Sequence, residues 1–144
     1  IGAATAFGYA LAILETPMQL ANLITTATDN PIIILLIINI MLLLLGTFMD
    51  MSPLIVITTP ILLPVVQEIG MDPVHFGIVM MLNLGIGLVT PPVGSVLFVG
   101  AAAGKVPVET AVKTIWPFYG ALIAALLVIT YVPAISLWLP GLFK

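Results

Sequence analysis

The most distinctive chemistry in the sequence lies in an interruption of a long apolar run. Residues 76–104 carry no charge, and residues 90–94 within them read TPPVG. Two successive prolines lack N–H groups and push the residue before each of them out of helical geometry. The carbonyl groups upstream therefore lose their helical partners, and the hydroxyl groups of Thr90 and Ser95 lie beside them. Oxygen atoms of these kinds are the ligands that hard cations prefer.

The remaining reactive side chains do not form a known catalytic pattern. The chain has no cysteine and one histidine, His75, so the sequence provides neither thiol chemistry nor the ligands of a zinc site. It contains no HExxH, GxSxG or P-loop motif. We therefore expect that the chain is not an enzyme, holds no transition metal and does not itself hydrolyse ATP.

The composition predicts that these residues lie in a membrane. The chain of 144 residues is 62% hydrophobic and only 6% charged, whereas soluble domains carry about 25% charged residues. The net charge of −3 and the absence of a basic patch exclude nucleic acid as a partner. We predict an all-α integral membrane protein with several helices in the lipid bilayer. Because the chain starts at Ile1 inside an apolar stretch, we expect a piece of a longer polypeptide rather than a signal peptide.

Helix starts are indicated four times by a capping residue followed by proline, which fits the first helical position because its missing N–H would be unpaired there. The pairs are Thr16-Pro17, Asn30-Pro31, Ser52-Pro53 and Asp72-Pro73. The predicted segments are the end of a spanning helix at 1–14, a connector or arm helix at 17–28, a spanning helix at 31–49, a helix kinked by Pro60 and Pro64 at 53–68, a hairpin at 76–104 and a last spanning helix at 110–140.

The last of these segments has aromatic residues towards its two ends, which is typical of the belts at the membrane interfaces. These residues are Trp116, Tyr119, Tyr131 and Trp138, and Pro133 is expected to bend the final turns.

The two halves of residues 76–104 are each too short to cross a membrane. They measure about 21 and 15 Å as helices, against a hydrocarbon core of about 30 Å. We predict a re-entrant hairpin of two antiparallel helices near 76–89 and 95–104, with a non-helical tip at 90–94. The first arm would present bare carbonyl groups to a cation, and the second would present N–H groups to an anion. The alternative is one proline-kinked helix about 43 Å long.

Other polar residues interrupt the apolar segments. Asp50 lies just before a predicted helix start and is either a membrane-embedded carboxylate that needs a cation or helix N-terminus as partner, or a solvated loop residue. Asn39 and Asn83 are expected to form hydrogen bonds between helices. Thr58 precedes Pro60 by two residues, where backbone carbonyls could open towards an ion.

Several of these elements recur together in a known family. They are Gly46-Thr47-Phe48-Met49-Asp50, then Pro60 and Pro64, then Gly87-Leu88-Val89-Thr90-Pro91-Pro92-Val93-Gly94, and finally Trp116-Pro117-Phe118. In this order the chain resembles the C-terminal part of the large membrane subunit of tripartite ATP-independent periplasmic (TRAP) transporters.

The resemblance implies sodium-coupled symport of an organic acid, such as a dicarboxylate, across a prokaryotic inner (cytoplasmic) membrane. Its implied partners are a periplasmic substrate-binding protein and a small membrane subunit, and sodium is the coupling ion with no further cofactor. The implied architecture is an elevator-type transporter of two inverted repeats, of which this chain matches the second. We expect sodium at the hairpin tip, on Thr90, Pro91, Pro92, Gly94 and Ser95, with Gly46, Asp50, Thr58, Asn83 and Gly87 as possible contributors to the ion or substrate site.

Two other functions fit the sequence. One is an ion-coupled carboxylate transporter of related architecture that works without a binding protein. The other is a scaffold membrane subunit that does not transport. The proline pair and the glycines in residues 76–104 favour transport, because a purely structural span has no need of them.

Overall fold

The computed structural model describes Thr26 and residues 30–142, and every regular element within residues 30–142 is a helix. The helices are, in chain order, α1 (Pro31–Phe48), α2 (Met51–Glu68), α3 (Pro73–Leu88), α4 (Ser95–Ala103), α5 (Val108–Tyr131) and α6 (Pro133–Gly141). The helices predicted over 1–14 and 17–28 lie outside this range, apart from Thr26, which is helical. The predicted all-α class is confirmed.

Side-chain caps explain where two of the helices begin. The Asn30 side chain accepts a hydrogen bond from the N–H of Ile32 at 3.0 Å, and α1 follows it. Asp72 accepts one from the N–H of Val74 at 2.8 Å at the start of α3. The start of α2 differs from the prediction, because this helix begins at Met51 rather than near 53 and its N-cap residue makes no capping bond.

The prolines inside α2 do not divide it. The helix runs for 18 residues through Pro60 and Pro64, where the sequence predicts a kink or break. The hydroxyl of Thr59 donates to the carbonyl of Ile55 at 2.6 Å, a bond of the kind that stabilises proline-containing helices in membranes.

The main core lies between α1, α2 and α3. α1 and α3 run in the same direction, because Asn39 contacts Asn83 and, further along both helices, Gly46 contacts Gly87. α2 follows α1 after two residues and packs into the same core. The buried core residues are Ile34, Ile38, Leu42, Leu54, Leu62, Val65, Val66, Phe76, Met80 and Leu84.

α5 runs antiparallel to α3. His75, in the first turn of α3, lines a cavity of about 260 Å³ together with Thr130 and Tyr131 at the end of α5. Val89, just after α3, accepts a hydrogen bond from Tyr119 in the middle of α5. The end of α3 therefore lies beside the midpoint of α5.

This arrangement differs from the predicted hairpin over 76–104. α5 is about 35 Å long. The short link at residues 104–107 joins the end of α4 to Val108, the first residue of α5. That link spans less than about 20 Å, so the end of α4 lies far from the start of α3. α4 therefore continues past α3 along the other half of α5 instead of returning beside α3. The hairpin was predicted from the lengths of the two halves of residues 76–104, whereas the direction of α4 depends on the position of α5.

Three of the described helices are long and apolar enough to cross a bilayer: α1, α2 and α5, with mean hydropathies of 2.7, 1.4 and 1.8. Their outward apolar side chains are largely uncovered, as Phe118 shows with 62% exposure. Such surfaces are covered by lipid or by other protein segments in the membrane. The last predicted span, 110–140, forms two helices that separate at Val132, just before Pro133.

Candidate functional site

Two interruptions of helical structure face each other. One is the turn at Met49 and Asp50 between α1 and α2, and the other is residues 89–94 between α3 and α4. The hydroxyl of Ser95 donates to the carboxylate Oδ1 of Asp50 at 3.1 Å and joins them. A cavity of about 180 Å³ lies between them, lined by Gly46, Thr47, Phe48, Met49, Asp50, Val93 and Ser95.

A close backbone contact between α1 and α3 holds the two interruptions in place. A Cβ atom on Gly87 would lie 2.5 Å from the carbonyl carbon of Gly46, and one on Gly46 would lie 3.2 Å from the Cα of Leu84. No side chain fits at Gly87 unless the helices move apart. Both glycines were candidate contributors to the site, and the structure gives them this packing role.

The proline pair removes two particular hydrogen-bond donors. In a continuous helix, the carbonyls of Gly87 and Leu88 would accept from residues 91 and 92, which are prolines. The Gly87 carbonyl instead accepts from the N–H of Thr90 at 2.9 Å. The Leu88 carbonyl accepts no hydrogen bond from any residue that the structure describes.

A second carbonyl, that of Thr90, lies next to that of Leu88. Gly94 has φ of +20°, and a Cβ atom there would lie 2.8 Å from the Thr90 oxygen and 3.1 Å from the Leu88 oxygen. Within residues 30–142 no N–H or O–H group donates to the Leu88 oxygen, whereas the Thr90 oxygen lies at the start of the turn over residues 91–93. The unpaired carbonyl of Leu88 and the carbonyl of Thr90 thus converge on the one residue of the break that has no side chain.

Four helix ends meet at this place. α1 and α3 end here with carbonyl groups, which carry a partial negative charge, and α2 and α4 begin here with N–H groups, which carry a partial positive charge. The first described backbone bond into α4 comes from Phe98 to Gly94, so the preceding N–H groups of its first turn remain free. Asp50 adds a full negative charge. The site can therefore hold a cation and a neighbouring anionic group.

Sequence reasoning did not assign Tyr119 to this site. This residue was predicted to lie in an interfacial belt, but it is 6% exposed and its hydroxyl donates to the Val89 carbonyl. Its ring meets that of Trp116 edge-on, with centroids 6.0 Å apart. The sequence does contain a signal for this contact, which is the position of a tyrosine within an apolar helix. A buried tyrosine hydroxyl requires a hydrogen-bond partner, and an unpaired backbone carbonyl is such a partner.

Two candidate residues lie away from the break. Thr58 donates to the Leu54 carbonyl at 2.7 Å within α2, about 12 Å along the helix from Asp50. Asn83 donates to Asn39 at 2.6 Å, and Asn39 donates to Thr130 at 3.1 Å. These two buried hydrogen bonds link α3, α1 and α5, in agreement with the interhelical role expected for the two asparagines.

The family model described as "Tripartite ATP-independent periplasmic transporter, DctM component" matches residues 1–135. The chain belongs to this DctM family. The resemblance to TRAP transporters is therefore confirmed, as is the prediction that the chain is not an enzyme.

Relatives of this DctM-family chain are named as permeases for different substrates. It is 48% identical over 138 residues to the isethionate TRAP transporter permease protein DctMQ of Oleidesulfovibrio alaskensis, covering 96% of the chain and 22% of the relative. It is 40% identical over 139 residues to the sialic acid TRAP transporter large permease protein SiaM of Vibrio cholerae, covering 96% and 33%. It is 40% identical over 141 residues to the C4-dicarboxylate TRAP transporter large permease protein DctM of Pseudomonas aeruginosa, covering 98% and 33%. The chain thus spans a third or less of the length of these relatives.

Proposed function

We propose that this chain forms part of the transport path of a sodium-coupled symporter for an organic acid. The family is that of tripartite transporters, and the substrates in its relatives' names, isethionate, sialic acid and C4-dicarboxylates, are all organic acids. The proposal includes the prokaryotic inner membrane as location. It also includes a periplasmic substrate-binding protein and a small membrane subunit as partners.

The observation that carries the proposal is the meeting of the two helix interruptions. The unpaired carbonyl of Leu88 and the carbonyl of Thr90 converge on Gly94, and Ser95 links the break to the carboxylate of Asp50. Sodium is a hard cation and binds oxygen ligands of this kind. Discontinuous helices in secondary transporters form ion and substrate sites from such ends.

Coupling follows from the charges at the site. Two unit charges about 4 Å apart interact by about 4 kcal/mol at an effective dielectric constant of about 20. Asp50 is hydrogen-bonded to Ser95, the first residue of α4. The carboxylate of Asp50 therefore repels an organic acid that approaches the first turn of that helix. A sodium ion beside Asp50 removes this repulsion, so the acid binds well only when the ion is present. The two solutes then move together.

The elevator-type movement is part of the proposal. Gly46 and Gly87 pack backbone against backbone beside the two interruptions, and in this proposal the two interruptions move as one body. We place the re-entrant element in α1 and α2, whose connecting turn meets the break between α3 and α4. The predicted hairpin at 76–104 then becomes a broken helix that continues along α5.

Uptake by the reconstituted system tests the function. The full-length subunit, its small membrane subunit and its binding protein would be placed in proteoliposomes, and organic-acid uptake measured with a sodium or a potassium gradient. We expect uptake with sodium only. We expect Asp50→Asn to lower sodium-dependent uptake at least tenfold, because the variant keeps the hydrogen bond to Ser95 but loses the charge.

A matched control is Asp72→Asn, a change to a carboxylate that caps the opposite end of α3. This variant is expected to keep its sodium dependence. Equal uptake in potassium, or normal sodium-dependent uptake by Asp50→Asn, would contradict the proposed coupling. Uptake without the binding protein would instead indicate the carboxylate transporter that works without one.

A further inference from the structure

The carbonyl groups at the end of α3 are not equivalent. The Gly87 carbonyl accepts a hydrogen bond from the Thr90 N–H, and the Thr90 carbonyl lies at the start of the turn over residues 91–93, whereas the Leu88 carbonyl is unpaired among the described residues. The Val89 carbonyl, between them, accepts the hydroxyl of Tyr119. A side chain of α5 therefore determines which carbonyl of the break is withdrawn and which remain for an ion.

The position of Tyr119 suits this role. The residue lies at the middle of α5, is 6% exposed, and packs edge-on against Trp116. It lines an apolar cavity of about 460 Å³ together with Pro91 and Pro92. The cavity that contains Asp50 and Ser95 has neither Tyr119 nor Val89 in its lining. The hydroxyl thus holds the Val89 carbonyl on the α5 side of the break, away from Asp50.

We propose that Tyr119 is a positioning residue that sets the cation ligands of the break. This inference rests on the proposed sodium site and adds a second property to it. By holding Val89, the hydroxyl orders the unwound segment before an ion arrives, so less ordering remains for the ion to impose. It also limits the number of free carbonyls, and the number of ligands influences which cation fits.

The chain provides a matched control in Tyr131. This tyrosine is on the same helix, and its hydroxyl also donates to a backbone carbonyl, that of Ile32, at 2.9 Å. The bond lies at the far end of α5, away from the break. Tyr119→Phe and Tyr131→Phe therefore remove the same chemical group and the same type of bond at two different places.

The test measures cation dependence in the full-length subunit reconstituted with its partners. We expect Tyr119→Phe to raise the sodium concentration for half-maximal uptake roughly three- to tenfold, the effect of losing one hydrogen bond. We also expect it to change the ratio of lithium-driven to sodium-driven uptake. Tyr131→Phe should change neither quantity. Thermal unfolding in potassium buffer should show that both variants fold, with the larger loss of stability in Tyr119→Phe because Tyr119 is buried and Tyr131 is 37% exposed.

The possible outcomes separate this inference from the function on which it rests. If the wild-type protein shows no sodium dependence, the proposed function and this inference both fail. If the wild type depends on sodium but Tyr119→Phe matches it, or Tyr131→Phe shifts equally, only the positioning role is refuted. If Tyr119→Phe does not fold, Trp116→Ala replaces it, because Trp116 is 71% exposed and its ring contacts the Tyr119 ring. An unchanged sodium dependence in Trp116→Ala also refutes the role.

Discussion

Within residues 30–142 the dipeptide Thr-Pro occurs at two places with opposite results. In α2, Thr59-Pro60 lies inside a continuous helix, whereas Thr90-Pro91 lies in the break between α3 and α4. The local bonding is alike, because Thr59 donates its hydroxyl to the carbonyl four residues earlier at 2.6 Å and Thr90 does the same at 2.7 Å. A single proline after threonine is therefore not sufficient to end a helix here.

The difference lies in the spacing of the next proline. In α2 it is Pro64, four residues on, so each proline removes one donor from an otherwise intact ladder. In the break it is Pro92, directly adjacent, so two consecutive carbonyls lose their donors and Gly94 follows in a conformation that side chains disfavour. The Gly87 carbonyl regains a donor in the N–H of Thr90, and the Leu88 carbonyl stays open to a cation.

The largest effect is expected from the backbone contact that precedes the break. In Gly87→Ala, the new Cβ would lie 2.5 Å from the Gly46 carbonyl carbon, so α1 and α3 must separate. We expect a loss of about 1–3 kcal/mol in stability and a loss of most uptake, measured by thermal unfolding and by initial uptake rate. Gly85→Ala is the control, because its Cβ would meet nothing within 4 Å. Equal behaviour of the two variants would show that the contact is unimportant.

A somewhat smaller effect is expected from restoring the missing donors. The double variant Pro91→Ala with Pro92→Ala returns N–H groups that can bond the Gly87 and Leu88 carbonyls, so the helix should extend and remove ion ligands. Initial uptake rates measured over a range of sodium concentrations should fall about tenfold and lose their saturation. The corresponding pair in α2, Pro60→Ala with Pro64→Ala, should leave this dependence unchanged. If the first pair leaves it unchanged as well, the sodium ligands lie elsewhere.

Local rules were sufficient to predict several elements of the fold. The helix starts at Pro31 and Pro73 follow from a capping side chain and a proline that needs no donor. The interruption at 89–94 follows from the adjacent prolines. These features depend on groups a few residues apart, so the sequence alone contains the information.

Other features depend on contacts between distant segments, and the sequence did not predict them. The direction of α4 is set by where α5 begins and ends, because a short link ties the two helices together. The role of Tyr119 depends on the antiparallel packing of α5 on α3, which brings the hydroxyl to Val89. Likewise, only packing shows that Asp50 and Ser95, 45 residues apart, form a hydrogen bond.

The smallest expected effect concerns the threonine hydroxyl itself. Thr90→Ser keeps the hydroxyl group, which donates a hydrogen bond to the Ile86 carbonyl at 2.7 Å. The oxygen of that hydroxyl can still accept a hydrogen bond or bind an ion. We expect it to transport normally. Thr90→Val keeps the shape but removes the hydroxyl, and the sodium concentration for half-maximal uptake should rise a few-fold, as expected for about 1 kcal/mol.

Thr59→Val in α2 separates this effect from general stability. Thr59 also precedes a proline, and the variant removes the same type of hydrogen bond, from the threonine hydroxyl to the carbonyl four residues earlier. This bond lies inside a continuous helix with no proposed ion ligands. The two valine variants should therefore lose similar stability, measured by thermal unfolding in potassium buffer, and only Thr90→Val should change the sodium dependence. If Thr59→Val changes it equally, the hydroxyl acts through helix stability. The backbone oxygens of the break would then remain as the proposed ligands, without a contribution from the Thr90 side chain.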